Sequence, residues 1–201
     1  MEFQRTRERE KKTIVHLTAL ENLEGIFQHG LLPRSKLRSF RDVADPAIIE
    51  GREGLGLEAF VPFHFFTQNP FDGAVVEANP GIALAYIVMK RTVARDKGFL
   101  ILPRHPLAQG VGVPLAPLSY DEGFAVIDWD LLERRDYQDH ECRLTCMAEC
   151  LAPDAVSLAD IHSIIVQDQP GALLVRDLQK RYPSVYKGFV DITPKSFPKH
   201  D

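Results

Sequence analysis

Short runs of apolar and β-branched residues recur along the chain, and each run is bounded by Gly, Pro, Asn or Asp. This pattern predicts β-strands, because such residues pack well on a pleated surface and the bounding residues favour turns. The predicted strands are residues 13–18, 61–66, 82–89, 98–102, 163–166 and 186–192. Residues 143–151 are mostly apolar and fit either a strand or a helix.

Helix signals fall between these runs. Thr18 and Glu21 have the spacing of a capping box, which predicts a helix that ends at Gly30. Asp45-Pro46 predicts a short helix that ends near Gly51. The remaining predicted helices follow the Asn69-Pro70 turn, begin at Asp128, and span residues 170–181.

The elements follow one another in a mixed order, with neither a regular strand–helix alternation nor a run of hairpins. This order predicts an α+β domain built on a mixed or antiparallel sheet. Residues 33–60 and the Pro/Gly-rich residues 103–122 are long and irregular, and such segments are usually functional or mobile. We expect a charged N-terminal extension over residues 1–12 and a single domain over 13–201. No Walker loop and no strand-linked Gly-x-Gly-x-x-Gly is present, which argues against a P-loop or Rossmann site.

Composition is ordinary for a globular protein. The 201 residues are 45% hydrophobic and 26% charged, with a net charge of -4. Neither the charge nor the sequence pI of about 6.0 indicates a nucleic-acid or membrane partner on its own. The first residues are charged and lack the apolar core of a signal peptide, and no run approaches the ~18 apolar residues of a membrane span. We therefore expect a cytoplasmic protein without a membrane partner.

The three cysteines are Cys142, Cys146 and Cys150, close to His140. An odd, crowded set does not resemble a disulfide framework, so a reducing compartment is indicated. The spacing does not match a Cys-x2-Cys knuckle, and no second ligand group accompanies it. We predict small core residues and no metal.

Glu149 lies within an apolar run, where an ionised carboxylate is expensive to bury without a partner. Arg143 is the nearest candidate cation in the sequence. If the run is one strand, the two side chains share a face but are roughly 20 Å apart. If it is one helix, they are nearly two turns apart. Neither geometry gives a direct ion pair, so we expect Glu149 to face a positive substrate instead.

Other chemical signals are weak individually. His16 on the first predicted strand is more often a satisfied core residue than a catalyst. Arg52, and the Arg104-His105 pair, lie in irregular segments, where simple exposure is the plain alternative. Four cations lie close together at Arg34, Lys36, Arg38 and Arg41. This cluster is most simply a solvated stretch, but four cations within eight residues also suit a phosphate backbone.

In order along the chain, these pieces resemble DarT, the DNA ADP-ribosyltransferase toxin of bacterial DarT–DarG toxin–antitoxin systems. The resemblance covers about residues 14–167. Its motifs are His16-Leu-Thr18 with Asn22-Leu and Gly30-Leu, Ile48-Ile-Glu-Gly-Arg52, Val61-Pro-Phe-His-Phe, Arg104-His105, and Arg143 with Ala148-Glu149-Cys-Leu. No single motif is specific, but the five motifs in the right order form a moderately strong signal.

The resemblance implies a split, mixed β-sheet core of the ADP-ribosyltransferase type, flanked by helices, with long substrate-binding loops. It implies NAD as co-substrate, single-stranded DNA as acceptor, and a macrodomain antitoxin, DarG, as partner. Glu149 and His105 would be catalytic, and no metal is implied. His16, Thr18, Asn22 and Arg52 would bind NAD. Arg104 and Arg143, with Arg38 and Arg41 from the basic cluster, would contact DNA.

Three positions depart from the family pattern. Met147 stands where many relatives have Gln, Phe71 where relatives often have Met, and His64 where they have Tyr. These departures bear on the acceptor, because some relatives modify thymine and others guanine. An RNA or protein acceptor therefore remains an alternative. A catalytically inactive NAD-binding or nucleic-acid-binding module is a second alternative.

Overall fold

The computed structural model describes residues 7–106 and 116–199. Within them the chain forms one eight-stranded sheet with helices on its faces. The strands are β1 Thr13–Ala19, β2 Val61–His64, β3 Leu84–Lys90, β4 Leu100–Leu102, β5 Leu118–Ser119, β6 Glu149–Ala152, β7 Ile161–Val166 and β8 Phe189–Ile192. The helices are α1 Leu23–His29, α2 Pro46–Glu53, α3 Pro70–Ala78, α4 Arg91–Asp96, α5 Tyr120–Val126, α6 Trp129–Arg134, α7 His140–Thr145 and α8 Gln169–Arg181.

The sheet is mixed, and its strand order is β5-β4-β6-β2-β1-β3-β7-β8. Seven-residue β1 pairs along its whole length with β3, and β7 and β8 form the parallel pair. In contrast, β1 and β2 pair at one position, Val15 with His64, among the described residues. The sheet is therefore split into two halves that meet at this position. The predicted α+β class is confirmed.

Both faces of the sheet are covered, which explains why most strands are apolar throughout. The larger core packs residues such as Phe27, Ile87 and Leu178 beneath α1 and α8. The smaller core, on the other face, includes Leu17 and Tyr86. Because both faces of the sheet are packed with apolar side chains, polar groups can cluster only at the strand ends and at the split between β1 and β2.

Two local predictions were wrong. Thr18 does not cap α1, because it is buried in β1 and pairs with Ala85 of β3. A 3-10 turn over Leu20–Asn22 leads into α1 instead, and α1 ends at Gly30 with φ of 82° as expected for a glycine stop. Residues 143–151 are neither one strand nor one helix, since α7 ends at Thr145 and β6 begins at Glu149.

The residues before β1 pack on the domain. Arg91 donates to the backbone oxygens of Glu8 at 2.9 Å, Arg9 at 3.1 Å and Thr13 at 3.1 Å. Its guanidinium also lies 5.1 Å from the ring centroid of Phe65. The side chain of Glu8 is fully buried. Arg91, at the start of α4, therefore holds the described part of residues 1–12 against the domain and also contacts Phe65, just after β2.

The long irregular segments keep little regular structure. Residues 33–60 contain α2 and two 3-10 turns, Arg34–Lys36 and Leu57–Ala59. The predicted short helix after Asp45 is therefore present, as α2. Of the second predicted loop, residues 107–115 lie outside the described residues. No described helix has the length and apolar character needed to cross a membrane.

Candidate active site

A cleft opens where the two halves of the sheet part. β1 supplies His16 and Thr18 to it, β2 supplies His64, and β6 supplies Glu149. Glu149 is the first residue of β6 and pairs with His64 across the sheet. The cleft therefore combines two residues at strand ends, His64 and Glu149, with two residues from within β1.

Glu149 is buried, with 4% of its surface exposed, and it has a cationic partner. Nη1 of Arg52, from α2, donates to both carboxylate oxygens at 2.6 Å and 2.8 Å. Nη2 of Arg52 is also buried and has no hydrogen-bond partner among the described residues. The expectation that only a substrate would neutralise Glu149 was wrong, because Arg52 lies far away in the sequence and next to Glu149 in the fold.

Arg52 keeps Glu149 ionised. Burial alone would raise the pKa of Glu149, but the positive charge and hydrogen bonds of Arg52 oppose it, with smaller contributions from His64 and His105. The net effect is a pKa below the usual value for glutamate. A carboxylate that stays negative in a sheltered cleft can stabilise a developing cation without first losing a proton.

Three imidazoles surround this pair. Nδ1 of His16 donates to the backbone oxygen of Pro62 at 2.7 Å, and burial lowers the pKa of His16 to about 4. Nδ1 of His64 donates to the backbone oxygen of Ala148 at 3.3 Å, and burial lowers its pKa as well. Burial also lowers the pKa of His105. Arg52 is thus the principal positive charge beside Glu149 at neutral pH.

The cleft continues into a cavity of about 820 Å³. Most of the predicted site residues line this one cavity: His16, Thr18, Asn22, Arg38, Arg41, Arg52, His105 and Glu149. Its volume falls within the range of sites that take small molecules and cofactors. Its walls are mixed, with apolar side chains such as Ile48 and Phe60 beside the polar groups.

The segment after α1 forms one wall of the cavity and is fastened to β1 through Asn22. Nδ2 of Asn22 donates to Oγ1 of Thr18 at 3.1 Å and to the backbone oxygen of Arg41 at 2.9 Å. Oδ1 of Asn22 accepts from the Arg41 amide at 2.7 Å. Further along, Arg34 pairs with Asp42 and lies 5.3 Å from the ring centroid of Phe40.

Two predicted residues lie apart from the cavity lining. Arg104 is largely buried, and its Nη2 lies 3.1 Å from the carboxylate of Glu141. Arg143 is exposed on α7, although its charge acts on His105. Arg104 is thus paired with a residue of α7, the helix that carries Arg143.

The cysteines take the structural role predicted for them. Cys142, Cys146 and Cys150 are buried and carry free thiols. Burial raises the pKa of Cys146 to about 12, so its thiol is not ionised at neutral pH. The described residues contain no group of three or more His, Cys, Asp or Glu side chains arranged to hold a metal ion.

Several lining residues carried no functional signal in the sequence. His64 and Phe71 stand out in the sequence only as departures from a family pattern, and Asp42 and Phe60 do not stand out at all. His64 and Phe71 stack with ring centroids 5.4 Å apart and an interplanar angle of 26°. The strand register that pairs His64 with Glu149 could have identified His64, but register is not readable from one sequence.

A sheet split at β1 and β2, with a buried glutamate and an arginine in the split, defines an ADP-ribosyltransferase-type protein. The sequence model of one such family, described as "ssDNA thymidine ADP-ribosyltransferase, DarT", matches residues 15–186. The chain belongs to the DarT family. No curated protein sequence is significantly similar to this chain.

Solved structures give the same fold. DarT from Thermus sp. 2.9 in complex with ADP-ribosylated ssDNA superposes with a TM-score of 0.80 at 24% identity, covering 94% of this chain and 97% of that one. The same enzyme with NAD+ gives 0.78 at 22% identity, covering 94% and 98%. Thermosipho africanus DarTG with ADP-ribose gives 0.71 at 20% identity, covering 93% of this chain and 51% of that one. At these identities the similarity establishes the fold.

Proposed function

We propose that this protein transfers ADP-ribose from NAD to the thymidine base of single-stranded DNA and releases nicotinamide. The observation that carries the proposal is the buried, ionised Glu149 in the lining of a cavity large enough for a dinucleotide. Membership of the DarT family supports the acceptor. The Thermus relative was solved both with NAD+ and with ADP-ribosylated ssDNA, which supports the same donor and acceptor here.

The chemistry follows from charge. The bond between the ribose C1′ and the nicotinamide nitrogen breaks, and its electron pair leaves with the neutral nicotinamide. The sugar becomes oxocarbenium-like, as in glycoside hydrolysis, where a carboxylate stabilises the transition state. Glu149 takes this role. A base nitrogen of thymidine then attacks C1′, and its proton passes to the Glu149 carboxylate.

Arg52 would exchange partners when NAD binds. Its guanidinium already lies in the cavity, and Nη2 has no hydrogen-bond partner among the described residues. A planar guanidinium suits the oxygens of a pyrophosphate. Moving onto NAD would release the Glu149 carboxylate, which then faces the ribose. Binding of the donor would thereby prepare the catalytic group.

His16 and Thr18 hold the nicotinamide–ribose end of NAD in this proposal. They lie two residues apart on β1 and therefore share a face of that strand, and both line the cavity. Asn22 acts mainly by holding the Arg41 backbone against β1. His105 lines the cleft beside Glu149 and would assist it by orienting the acceptor base.

The acceptor strand would cross the cleft between two groups of cations. Arg38 and Arg41 are exposed and line the cavity, and Arg143 on α7 is exposed as well. Arg104 pairs with Glu141 of the same helix. Cations suit phosphate groups, and a single strand presents its bases without the cost of opening a duplex. Surface charge alone does not select DNA over RNA, so the acceptor needs a direct test.

A DarG-like macrodomain that removes the modification is the proposed protein partner, and the enzyme acts as the toxin of the pair. The support is family membership together with the Thermosipho africanus DarTG relative. That relative is about twice the length covered here, since this chain spans 51% of it.

Labelled NAD, incubated with matched oligonucleotides, tests the proposal. One DNA strand contains thymidine, a second replaces each thymidine with cytidine, and a third is the RNA counterpart. We expect label on the thymidine strand, and mass spectrometry should place ADP-ribose on the base. The Glu149→Gln protein is the negative control. Label on the RNA strand, with none on the DNA strand that contains thymidine, would contradict the proposed acceptor.

A further inference from the structure

His64 occupies the position that joins the two halves of the sheet. It pairs with Val15 of β1 on one side and with Glu149 of β6 on the other. Directly opposed residues of an antiparallel pair project to the same face, with Cβ atoms about 4.5–5.5 Å apart. The imidazole of His64 therefore lies beside the carboxylate of Glu149, and both line the cavity.

Two contacts fix the orientation of this ring. Nδ1 lies 3.3 Å from the backbone oxygen of Ala148, and a carbonyl oxygen only accepts, so Nδ1 carries the hydrogen. The ring also stacks on Phe71, with centroids 5.4 Å apart. His64 is buried, with 6% of its surface exposed. Contacts with the backbone just before β6 and with a side chain of α3 therefore fix the position of the ring together.

We infer that His64 is a positioning residue for Glu149, tying the backbone before the carboxylate to β2 and closing the space beside it. The inference rests on the proposed function, because it assigns a role in the same transfer reaction. Its basis is that Ala148, the acceptor of the His64 hydrogen bond, directly precedes Glu149 in the chain. A shift of that backbone would move the carboxylate away from the sugar.

The electrostatics agree with this role. Burial lowers the pKa of His64; Glu149 opposes that shift, while Arg52 and His105 add to it. His16 and His64 also interact electrostatically from adjoining strands. A neutral ring leaves the charge of Glu149 to the sugar cation. An imidazolium, formed at lower pH, would pair with Glu149 and compete with the substrate.

Two substitutions at His64 distinguish the effect of its hydrogen bond from the effect of its aromatic ring. His64→Phe keeps an aromatic ring against Phe71 but removes the donor. His64→Asn restores a donor, because its side-chain nitrogen occupies nearly the place of Nδ1, and it cannot titrate. His140→Asn, exposed at the start of α7, is the matched control. Each protein is assayed on the thymidine oligonucleotide for kcat and for the KM of NAD across pH, with NAD affinity measured by calorimetry.

We expect His64→Phe to lower kcat about tenfold, the size of effect that one lost hydrogen bond near the reacting groups gives, with NAD affinity unchanged. His64→Asn should recover most of that loss, and its kcat should persist to lower pH than in the wild type. Wild-type kcat and pH profile in His64→Phe, or an equal loss in both variants, would overturn the inference. A wild-type protein that does not modify DNA would instead refute the proposed function.

Discussion

Arg52 and Glu149 are 97 residues apart in the chain, yet one guanidinium nitrogen donates to both oxygens of the carboxylate. The pair bridges α2 and the first residue of β6 across the cleft, and both side chains are largely buried, at 14% and 6% exposure. The two side chains therefore form a direct, sheltered ion pair in the cleft.

Glu149→Gln preserves the shape of the side chain but removes its charge. We expect kcat for DNA modification to fall by about 10³-fold, comparable to the loss of one preorganised electrostatic group. Arg52 then remains buried beside a neutral amide, and the free energy of unfolding should fall by up to about 3 kcal/mol. Steady-state kinetics and urea unfolding measure the two effects. Wild-type kcat in the Gln protein would remove Glu149 from the chemistry.

Arg52→Lys retains a positive charge but loses the planar fork. We expect NAD affinity to fall at least about tenfold, because one ammonium cannot replace two parallel donors on a pyrophosphate. Calorimetry measures the affinity directly.

Arg52→Ala should raise the pKa of Glu149. Burial raises this pKa and the charge of Arg52 lowers it, so removing Arg52 leaves the effect of burial less strongly opposed. Carbon-13 NMR titration of the Glu149 carboxyl group can follow it, and an unchanged pKa would contradict the pairing.

The buried carboxyl group of Asp72 should make the folded protein less stable at neutral pH than at mildly acidic pH. This carboxyl group is buried at the start of α3, and its Oδ2 accepts from the Tyr86 hydroxyl at 2.6 Å. Burial raises its pKa to about 7, against about 3.9 in an unfolded chain. The folded protein therefore holds a proton that the unfolded chain has lost, and stability falls as the pH rises from about 4 through about 7.

Asp72→Asn should remove this dependence, since an amide has no proton to lose in this range. We expect the substituted protein to equal the wild type in free energy of unfolding near pH 4 and to exceed it at pH 8. Urea unfolding at several pH values measures the difference. Parallel pH profiles for the two proteins would show that Asp72 ionises normally in the fold.

Gly123 gives a packing prediction with an internal control. A Cβ atom at this position of α5 would lie 2.5 Å from Cβ of Ile101 on β4, closer than two carbons can approach. Gly123→Ala should therefore cost about 1–3 kcal/mol of unfolding free energy. A Cβ atom added at Gly73, in α3, would meet no atom of the surrounding fold within 4 Å. Gly73→Ala should therefore raise the free energy of unfolding by up to about 1 kcal/mol. Thermal unfolding of both proteins would reveal any reversal of this order.

Local sequence patterns predicted the positions of most strands and the stop of α1 at Gly30, because turn residues and β-branched runs act over a few residues. They failed between Arg143 and Glu149, where a helix gives way to a strand within an apolar stretch. Both element types tolerate such residues, and only the pairing of β6 with β2 decides between them.

The sequence predicted which residues belong to the candidate site better than it predicted the contacts between them. Ordered family motifs indicated Glu149 and Arg52 as members of one site, and the cavity contains both. Their mutual ion pair was missed, because a contact across 97 residues leaves no periodic signal. His64 was missed for the same reason, since its importance depends on which residue faces it in the neighbouring strand.

The narrow joint between β1 and β2 has a consequence for amide hydrogen exchange. Strand β3 pairs with β1 and with β7 over many consecutive residues. In contrast, β2 pairs with β1 at one described position, Val15 with His64. Amides within each half should therefore exchange as one group, and the two groups should have different opening free energies. Adding NAD, which would span both halves, should slow exchange in the less protected half towards the rate of the other. The two halves of the sheet would then open independently without NAD and cooperatively with NAD bound.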